Sequence, residues 1–266
     1  MTRSRAWSGR SATAGLAVLL TLSCAPEPAP APRNVIVMIS DGAGVAHWTL
    51  AKFARDELSV DAFPVAGLVD TRGDGHTVTG SGPGGTALST GVRSFMGAVG
   101  VGPDSLPRES VLEAAMFRGM AAGLVTTTWV ADATPAAFGA HSPDRGAMVG
   151  ILRQMAAQRI EVILGGGGRI LELAEDRDSV DLRAELRADY PVVESLEELE
   201  ELEPDTLTRL IGLFSPGDMP PAPERAPSLS RWMSTALTIL SRDPDGFFLM
   251  VENEGTRCSR RCWTAS

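Results

Sequence analysis

Four short apolar segments, separated by helical patterns, most constrain what this chain can fold into. They are NVIVMIS (34–40), GLVTTT (123–128), VILGGGG (162–168) and FFLMVE (247–252). Continuous β-branched runs of this length are typical of strands buried on both faces of a parallel sheet. Between them, Ser110 and Glu113 form a capping box, and Ser142-Pro143 precedes apolar residues at helical spacing. The alternation predicts an α/β fold, with a mostly parallel central sheet flanked by helices.

The length and charge of the chain limit its classes of function. A chain of 266 residues can bury a full core. The formal net charge of -9 argues against nucleic acid or an anionic membrane surface as the main partner. An anionic substrate would therefore need a locally positive site, built from arginine, a metal ion or a helix N-terminus.

The N-terminal segment predicts export. Arg3, Arg5 and Arg10 precede a short apolar run that ends at Cys24, and a Pro/Ala-rich stretch follows. This order resembles a bacterial lipoprotein signal. We expect residues 1–23 to be a signal peptide, Cys24 to be lipidated and residues 24–33 to be a tether. Ordinary secretion with cleavage nearby is the alternative. Either route predicts a periplasmic or cell-envelope location. We expect membrane contact only through the lipid on Cys24.

Residues 170–227 differ in character from the rest of the chain. The stretch VVESLEELEELEPDTLTRLIGLF within them is acidic, and its leucines have irregular helical spacing. We interpret this segment as a surface helix or small insertion whose charge serves solubility. The preceding GGGG lacks the Lys-Ser/Thr of a P-loop and predicts a tight exit from a strand.

Carboxylates and a hydroxyl follow three of the apolar segments. Asp41 follows the first, Asp132 and Thr134 follow the second, and Glu252 closes the fourth. Ligands of open α/β sheets bind at the carboxyl ends of strands, so we expect these side chains to meet at one edge. Oxygen-only ligands suit a hard cation, Mg²⁺ before Zn²⁺.

A glycine-rich stretch, TGSGPGG, surrounds Ser81. It predicts either a flexible surface loop or a serine at a helix start, where free N–H groups would receive a phosphate. Arg145 is expected in the first turn of the helix begun by Ser142 and Pro143, where its guanidinium can hold two phosphate oxygens. A metal beside a serine can activate the hydroxyl without a histidine base. These parts indicate phosphoryl transfer through a phosphoserine.

The segments resemble, in their order, the alkaline phosphatase family. The matching stretches are NVIVMISDGAG, VTGSGPGGTALSTGVRSFMGAVGV, GLVTTTWVADATPAAFGAHSPDR, VILGGGGR and GFFLMVE. The resemblance implies hydrolysis of small-molecule phosphate monoesters and allows a homodimer. It implies that Ser81 is the nucleophile and that Arg145 binds the substrate phosphate. It also implies that Asp41 bridges a zinc and a magnesium ion, that Thr134 and Glu252 bind the magnesium, and that Asp132 reaches it through water.

Two departures from the family pattern bear on activity. The family usually has an aspartate before the serine and alanines after it, whereas this chain has Gly80 and then GPGG. That aspartate helps to hold the arginine, so we expect a looser Arg145, and the glycines weaken the helix behind the serine. Family members also continue past the last strand, with two aspartates and three histidines for two zinc sites. The histidines of this chain, His47, His76 and His141, have no zinc-ligand spacing, and His141 is expected to be structural.

We therefore expect an incomplete alkaline phosphatase-like domain over residues 34–256, lacking the C-terminal part of the fold, and an aberrant tail at 257–266. A frameshift near Thr256 is the favoured origin of the tail, against a disordered terminus or a metal or disulfide pair of Cys258 and Cys262. With Mg²⁺ ligands present and most Zn²⁺ ligands lacking, turnover should be impaired. Two other functions stay open: a non-catalytic phosphate- or cation-binding lipoprotein, and a related phosphodiesterase or sulfatase-type hydrolase.

Overall fold

A computed structural model describes residues 33–178, 181–221 and 228–254 of the chain. The predicted signal peptide, Cys24 and the tail at 257–266 lie outside these ranges, as does the tether apart from Arg33.

Six parallel strands form one sheet, which confirms the predicted α/β class. They are β1 (Asn34–Ser40), β2 (Ala121–Trp129), β3 (Val162–Gly166), β4 (Val192–Val193), β5 (Leu210–Leu213) and β6 (Phe247–Asn253). Their order across the sheet is β1-β6-β2-β3-β5-β4, and each neighbouring pair is parallel. The four apolar segments of the sequence are β1, β2, β3 and β6.

Helices flank the sheet, and short 3-10 turns lie at Ser59–Ala62 and Pro204–Thr206. The helices are α1 (Val45–Ala54), α2 (Ser81–Thr90), α3 (Val111–Phe117), α4 (Ala133–Gly139), α5 (Met148–Ala157), α6 (Arg169–Asp178), α7 (Leu182–Arg187), α8 (Leu196–Glu201) and α9 (Leu229–Leu240). The predicted capping box opens α3: Ser110 Oγ accepts from the Glu113 N–H, and Glu113 accepts from the Ser110 N–H. No helix in the described ranges is both long and apolar enough to cross a bilayer.

The sheet separates two apolar cores. Along β6, Phe248 and Met250 belong to one core, and Phe247, Leu249 and Val251 belong to the other. Successive side chains of a strand point to opposite faces, so the two cores lie on opposite sides of the sheet. Helices α4 and α5 supply the first core, and α9 supplies the second.

Strands β4 and β5 were not predicted from the sequence. Both fall within residues 170–227, which we interpreted as a surface helix or insertion. The segment does contain α7 and α8, but β5 pairs with β3, and its residues Leu210, Ile211 and Leu213 are buried. The two strands have only two and four residues, so the acidic helical stretch between them dominates the pattern.

Strand β1 is less buried than its apolar sequence predicted. It lies at the edge of the sheet, where Met38 is 66% exposed. The neighbouring helix α1 has no buried residue, and its Val45, Leu50 and Phe53 are exposed. An edge strand pairs on one side only, so the pattern of a fully buried strand overestimates its burial here.

Candidate active site

Ser81 is the first residue of α2, with Gly80 as its N-cap. The flexible-loop alternative for the glycine-rich stretch is therefore wrong. The glycines have a packing reason instead: a Cβ on Gly82 would lie 2.5 Å from the carbonyl oxygen of Ala98, and one on Gly85 would lie 3.1 Å from Cβ of Ala137. The serine thus lies at the N-terminus of α2, which is the positive end of the helix dipole. The helix itself packs closely against two other segments.

Two glycines of α2 should respond in opposite ways to alanine. Gly82→Ala is expected to lower the free energy of unfolding by about 1–3 kcal/mol, because the new methyl group meets backbone that must shift. Gly84→Ala should raise it by about 0.5–1 kcal/mol, because its Cβ meets only the Thr79 side chain, at an ordinary 3.6 Å. Urea denaturation of the three proteins measures both effects. Equal changes in the two variants would contradict the packing argument.

Asp41 and Ser81 come together at the end of β1. The Ser81 hydroxyl donates to Asp41 Oδ2 over 2.7 Å. The Asp41 backbone N–H donates to the carbonyl oxygen of Asn253, the last residue of β6, over 3.1 Å. The carboxyl end of the sheet therefore holds the carboxylate that orients the serine.

Glu252 is a buried carboxyl group, only 1% exposed, beside Asp41. Burial raises its pKa to about 7, against hydrogen bonds from Thr126 and Thr134 that lower it, and the charges of Asp41 and Asp132 raise it further. The Thr126 hydroxyl donates to Glu252 Oε2 over 2.6 Å, from the paired position on β2. The carboxylates of Asp41 and Asp132 are thus close enough to Glu252 to disfavour its charged form.

Thr126 was not predicted as part of the site. A signal was available in the run Thr126–Thr127–Thr128, because hydroxyl groups in a strand buried on both faces need polar partners. Thr126 finds one in Glu252, and Thr128 Oγ1 lies 3.5 Å from the same carboxylate oxygen.

Arg145 contacts Asp132, with Nη2 2.5 Å from Oδ1. The predicted helix at Ser142 is wrong: α5 begins at Met148, and Arg145 lies in the turn before it. The Arg145 N–H donates instead to the carbonyl oxygen of Gly97, over 2.8 Å. The carboxylate that holds the guanidinium belongs to Asp132, the N-cap residue of α4, and the looser Arg145 expected from Gly80 stays a prediction.

The structure brings all six predicted site residues into one connected set. The Ser81 hydroxyl donates to Asp41, and Arg145 pairs with Asp132. The charges of Asp41 and Asp132 and the hydroxyl of Thr134 all influence the pKa of Glu252. Their oxygen donors have the chemistry that Mg²⁺ prefers, and a cation would relieve the repulsion at Glu252. In the described residues, however, no three His, Cys, Asp or Glu side chains are arranged closely enough to hold a metal ion.

A family model described as alkaline phosphatase matches residues 32–261. The chain belongs to the alkaline phosphatase family. It is 34% identical to alkaline phosphatase 3 of Bacillus subtilis and 33% identical to alkaline phosphatase H of Pseudomonas aeruginosa. Each match covers 83% of this chain, but 50% and 59% of the respective relative. The chain thus spans between one half and three fifths of the length of these curated alkaline phosphatases.

Solved alkaline phosphatases share the fold. The Thermus thermophilus enzyme aligns with a TM-score of 0.75 at 35% identity, over 83% of this chain and 49% of that one. A substituted form of the alkaline phosphatase of TAB5, an Antarctic bacterium, aligns with a TM-score of 0.73 at 29% identity, over 83% and 64%. That protein has Mg bound in its M3 site.

Proposed function

We propose that this chain carries the nucleophile and the phosphate-binding arginine of a phosphomonoesterase that acts through a phosphoserine. The observation that supports it most is the 2.7 Å hydrogen bond from Ser81 Oγ to Asp41, at the N-terminus of α2. Because the hydroxyl hydrogen points at the carboxylate, the lone pairs of Oγ are free to face an incoming phosphorus atom.

The proposed step exchanges one P–O bond for another. Oγ of Ser81 bonds to phosphorus as the ester P–O bond breaks, the serine proton passes by way of Asp41 Oδ2 to water, and water returns a proton to the leaving alkoxide, so that no net proton is consumed. The N-terminus of α2 favours the charge of the phosphoryl group. Arg145, 33% exposed and facing Asp132, can offer its remaining N–H donors to two phosphate oxygens.

In this proposal Asp41, Asp132, Thr134 and Glu252 are the residues that a Mg²⁺ ion would draw together, because no three carboxylates of the described residues are already arranged to hold a metal ion. Asp41 and Ser81 would also contribute to a Zn²⁺ site. When bound, such ions supply electrostatic stabilisation of the developing charge and lower the pKa of the attacking hydroxyl. Export as a periplasmic or cell-envelope lipoprotein through Cys24 remains part of the proposal, supported by the N-terminal sequence alone.

Phosphoserine formation tests the function directly. The chain, supplied with Mg²⁺ and Zn²⁺, is mixed with p-nitrophenyl phosphate, with a diester or with a sulfate ester, quenched, and mapped by peptide mass spectrometry. We expect one phosphoryl group on the peptide that contains Ser81, from the monoester only. Labelling from the diester or the sulfate ester would favour the related hydrolases. Phosphate binding with no labelled serine would favour the non-catalytic binding protein.

Arg145 should dominate phosphate affinity. Arg145→Ala is expected to weaken binding of inorganic phosphate by about 10- to 100-fold, the loss of charge-assisted hydrogen bonds. Isothermal titration calorimetry measures it. Arg153→Ala is the matched control, because Arg153 pairs with Glu185 on the surface. The phosphate affinity of this variant should stay within about twofold of that of the unchanged protein. An unchanged affinity in Arg145→Ala would remove this residue from the phosphate site.

A further inference from the structure

Residues 97–101, which we name the linking segment, form hydrogen bonds both with helix α2 and with the turn that contains Arg145. Val99 and Ser142 exchange two backbone hydrogen bonds of 2.9 Å, and the Arg145 N–H donates to the Gly97 carbonyl. On the other side, the Gly100 N–H donates to Oγ1 of Thr86 in α2, over 3.0 Å. The linking segment therefore connects the position of Arg145 to that of α2, which begins with Ser81.

His141 fastens this segment to α3 through both ring nitrogens. Nδ1 lies 2.7 Å from the Gly100 carbonyl oxygen, and Nε2 lies 2.8 Å from Oε1 of Glu113. A carbonyl oxygen and a carboxylate only accept hydrogen bonds, so both contacts are hydrogen bonds only when both nitrogens carry hydrogen. The arrangement is therefore that of an imidazolium cation.

The two partners of His141 are themselves fixed. Gly100 has φ +62, and a Cβ there would lie 2.0 Å from the Ala140 carbonyl oxygen, so the backbone shape requires glycine. Glu113 accepts from the Ser110 N–H over 2.8 Å and from the Gln158 amide over 3.1 Å. The imidazole thus sits between a rigid carbonyl and a rigid carboxylate.

We propose that His141 is a positioning residue: its imidazolium holds the linking segment against α3 and so sets where Arg145 stands relative to Ser81. The proposal rests on the proposed function for the role of Arg145 as the phosphate ligand. It extends the expectation that His141 is merely structural, because it ties a protonation state to ligand affinity.

The electrostatics of the pair agree with this geometry. The hydrogen bond to Glu113 raises the pKa of His141 against a smaller opposing effect of burial, and the Gly100 carbonyl raises it further. Burial would raise the pKa of Glu113, but the hydrogen bonds from His141 and Ser110 outweigh it and lower that pKa. From α5 and its C-cap residue, the neutral amides of Gln154 and Gln158 face the pair.

The sign of the pH dependence follows. The contribution of His141 is complete below its ordinary pKa of 6.5 and is lost as pH rises through the raised folded value. The contribution of Glu113 is complete above 4.5 and is lost as pH falls through the lowered value. The pair is thus tightest between these two ordinary values, and the linking segment loosens on the alkaline side.

Nitrogen NMR of the ¹⁵N-histidine-labelled protein tests the protonation state. The chain has three histidines, so the resonance that His141→Gln removes is assigned to His141. We expect both of its nitrogens to carry hydrogen at pH 6.5, with a midpoint above that value. Glu113→Gln should move the midpoint to lower pH, because it keeps a hydrogen-bond acceptor but removes the charge. A neutral His141 ring at pH 6 in the unchanged protein would overturn the proposal without any variant having to fold.

Calorimetry with inorganic phosphate tests the coupling. At pH 6, His141→Gln should bind phosphate about tenfold more weakly than the unchanged protein, and the ratio of the two affinities should shrink as pH rises through the His141 midpoint. Taking the ratio cancels the ionisation of phosphate itself. In Glu113→Gln, the pH at which phosphate affinity changes should move together with the NMR midpoint of His141. A purely structural role of His141 would leave that pH unchanged. His76→Gln, in an exposed loop, is the control and should match the unchanged protein.

The failures are distinguishable. If Arg145→Ala leaves phosphate affinity unchanged, the proposed phosphate site fails. If Arg145→Ala weakens phosphate while His141→Gln binds it normally at every pH, the positioning role of His141 is wrong and the phosphate site stands.

Discussion

Replacing Ser81 by alanine is expected to reduce phosphoryl transfer from phosphate monoesters by about three orders of magnitude or more, relative to whatever rate the unchanged chain shows. The covalent step has no other acceptor at this position, because the hydroxyl bonded to Asp41 at the start of α2 is the proposed nucleophile. Affinity for inorganic phosphate should change only a few-fold, since Arg145 and the helix N-terminus remain. Single-turnover release of p-nitrophenol and phosphate calorimetry measure the two quantities.

Ser89→Ala is the matched control for this experiment. Ser89 lies in the same helix, and its hydroxyl donates to the Ala137 carbonyl oxygen over 2.6 Å, so its loss tests the packing of α2 without touching the nucleophile. We expect a small loss of stability and a rate within a few-fold of the unchanged chain. If Ser81→Ala keeps its rate, water attacks the phosphate directly and the phosphoserine mechanism is wrong.

The sequence predicted which side chains lie near one another better than it predicted the edges of the fold. Asp41, Asp132 and Glu252 each follow or close a strand, and parallel strands end at one edge, so local pattern and topology together bring them near one another. The strands concerned lie next to one another in the order β1-β6-β2, where long apolar runs make them easy to recognise. Short β4 and β5 have no such run.

The partners within the site could not be predicted, because they depend on contacts between distant segments. Asp132 holds Arg145 in the structure, although nothing in the spacing of the two residues indicates an ion pair. In the structure the Arg145 N–H donates to the Gly97 carbonyl oxygen, a contact between distant segments that the pattern after Ser142 does not indicate. The need for glycine at Gly82 likewise depends on the nearby Ala98 carbonyl oxygen. This contact lies outside the helix, so helix propensity does not predict it.

The buried Glu252 has a cost in the metal-free protein. Its ordinary pKa is 4.5, and its folded pKa is raised to about 7. Between these values the folded chain binds more protons than the unfolded chain, so stability falls as pH rises through this interval and levels off above it. The total loss is roughly 3 kcal/mol. Proximity to Asp41 and Asp132 adds to the cost, and a bound cation would offset it.

Glu252→Gln is therefore expected to separate fold stability from metal binding. At pH 8 without metal the variant should be more stable than the unchanged chain by about 1–3 kcal/mol, because a neutral amide needs no charge solvation. At pH 5, where Glu252 is itself protonated, the two proteins should differ little. Added Mg²⁺ should stabilise the unchanged chain at pH 8, and the variant should bind Mg²⁺ at least about tenfold more weakly. Urea denaturation at both pH values, with and without Mg²⁺, gives all four comparisons.

Glu185→Gln, which alters an exposed ion pair with Arg153, is the control and should behave as the unchanged chain does in each comparison. A variant that is less stable than the unchanged chain at pH 8 without metal would show that the carboxylate is compensated by its threonine partners. Equal stabilisation of both proteins by Mg²⁺ would place the cation elsewhere.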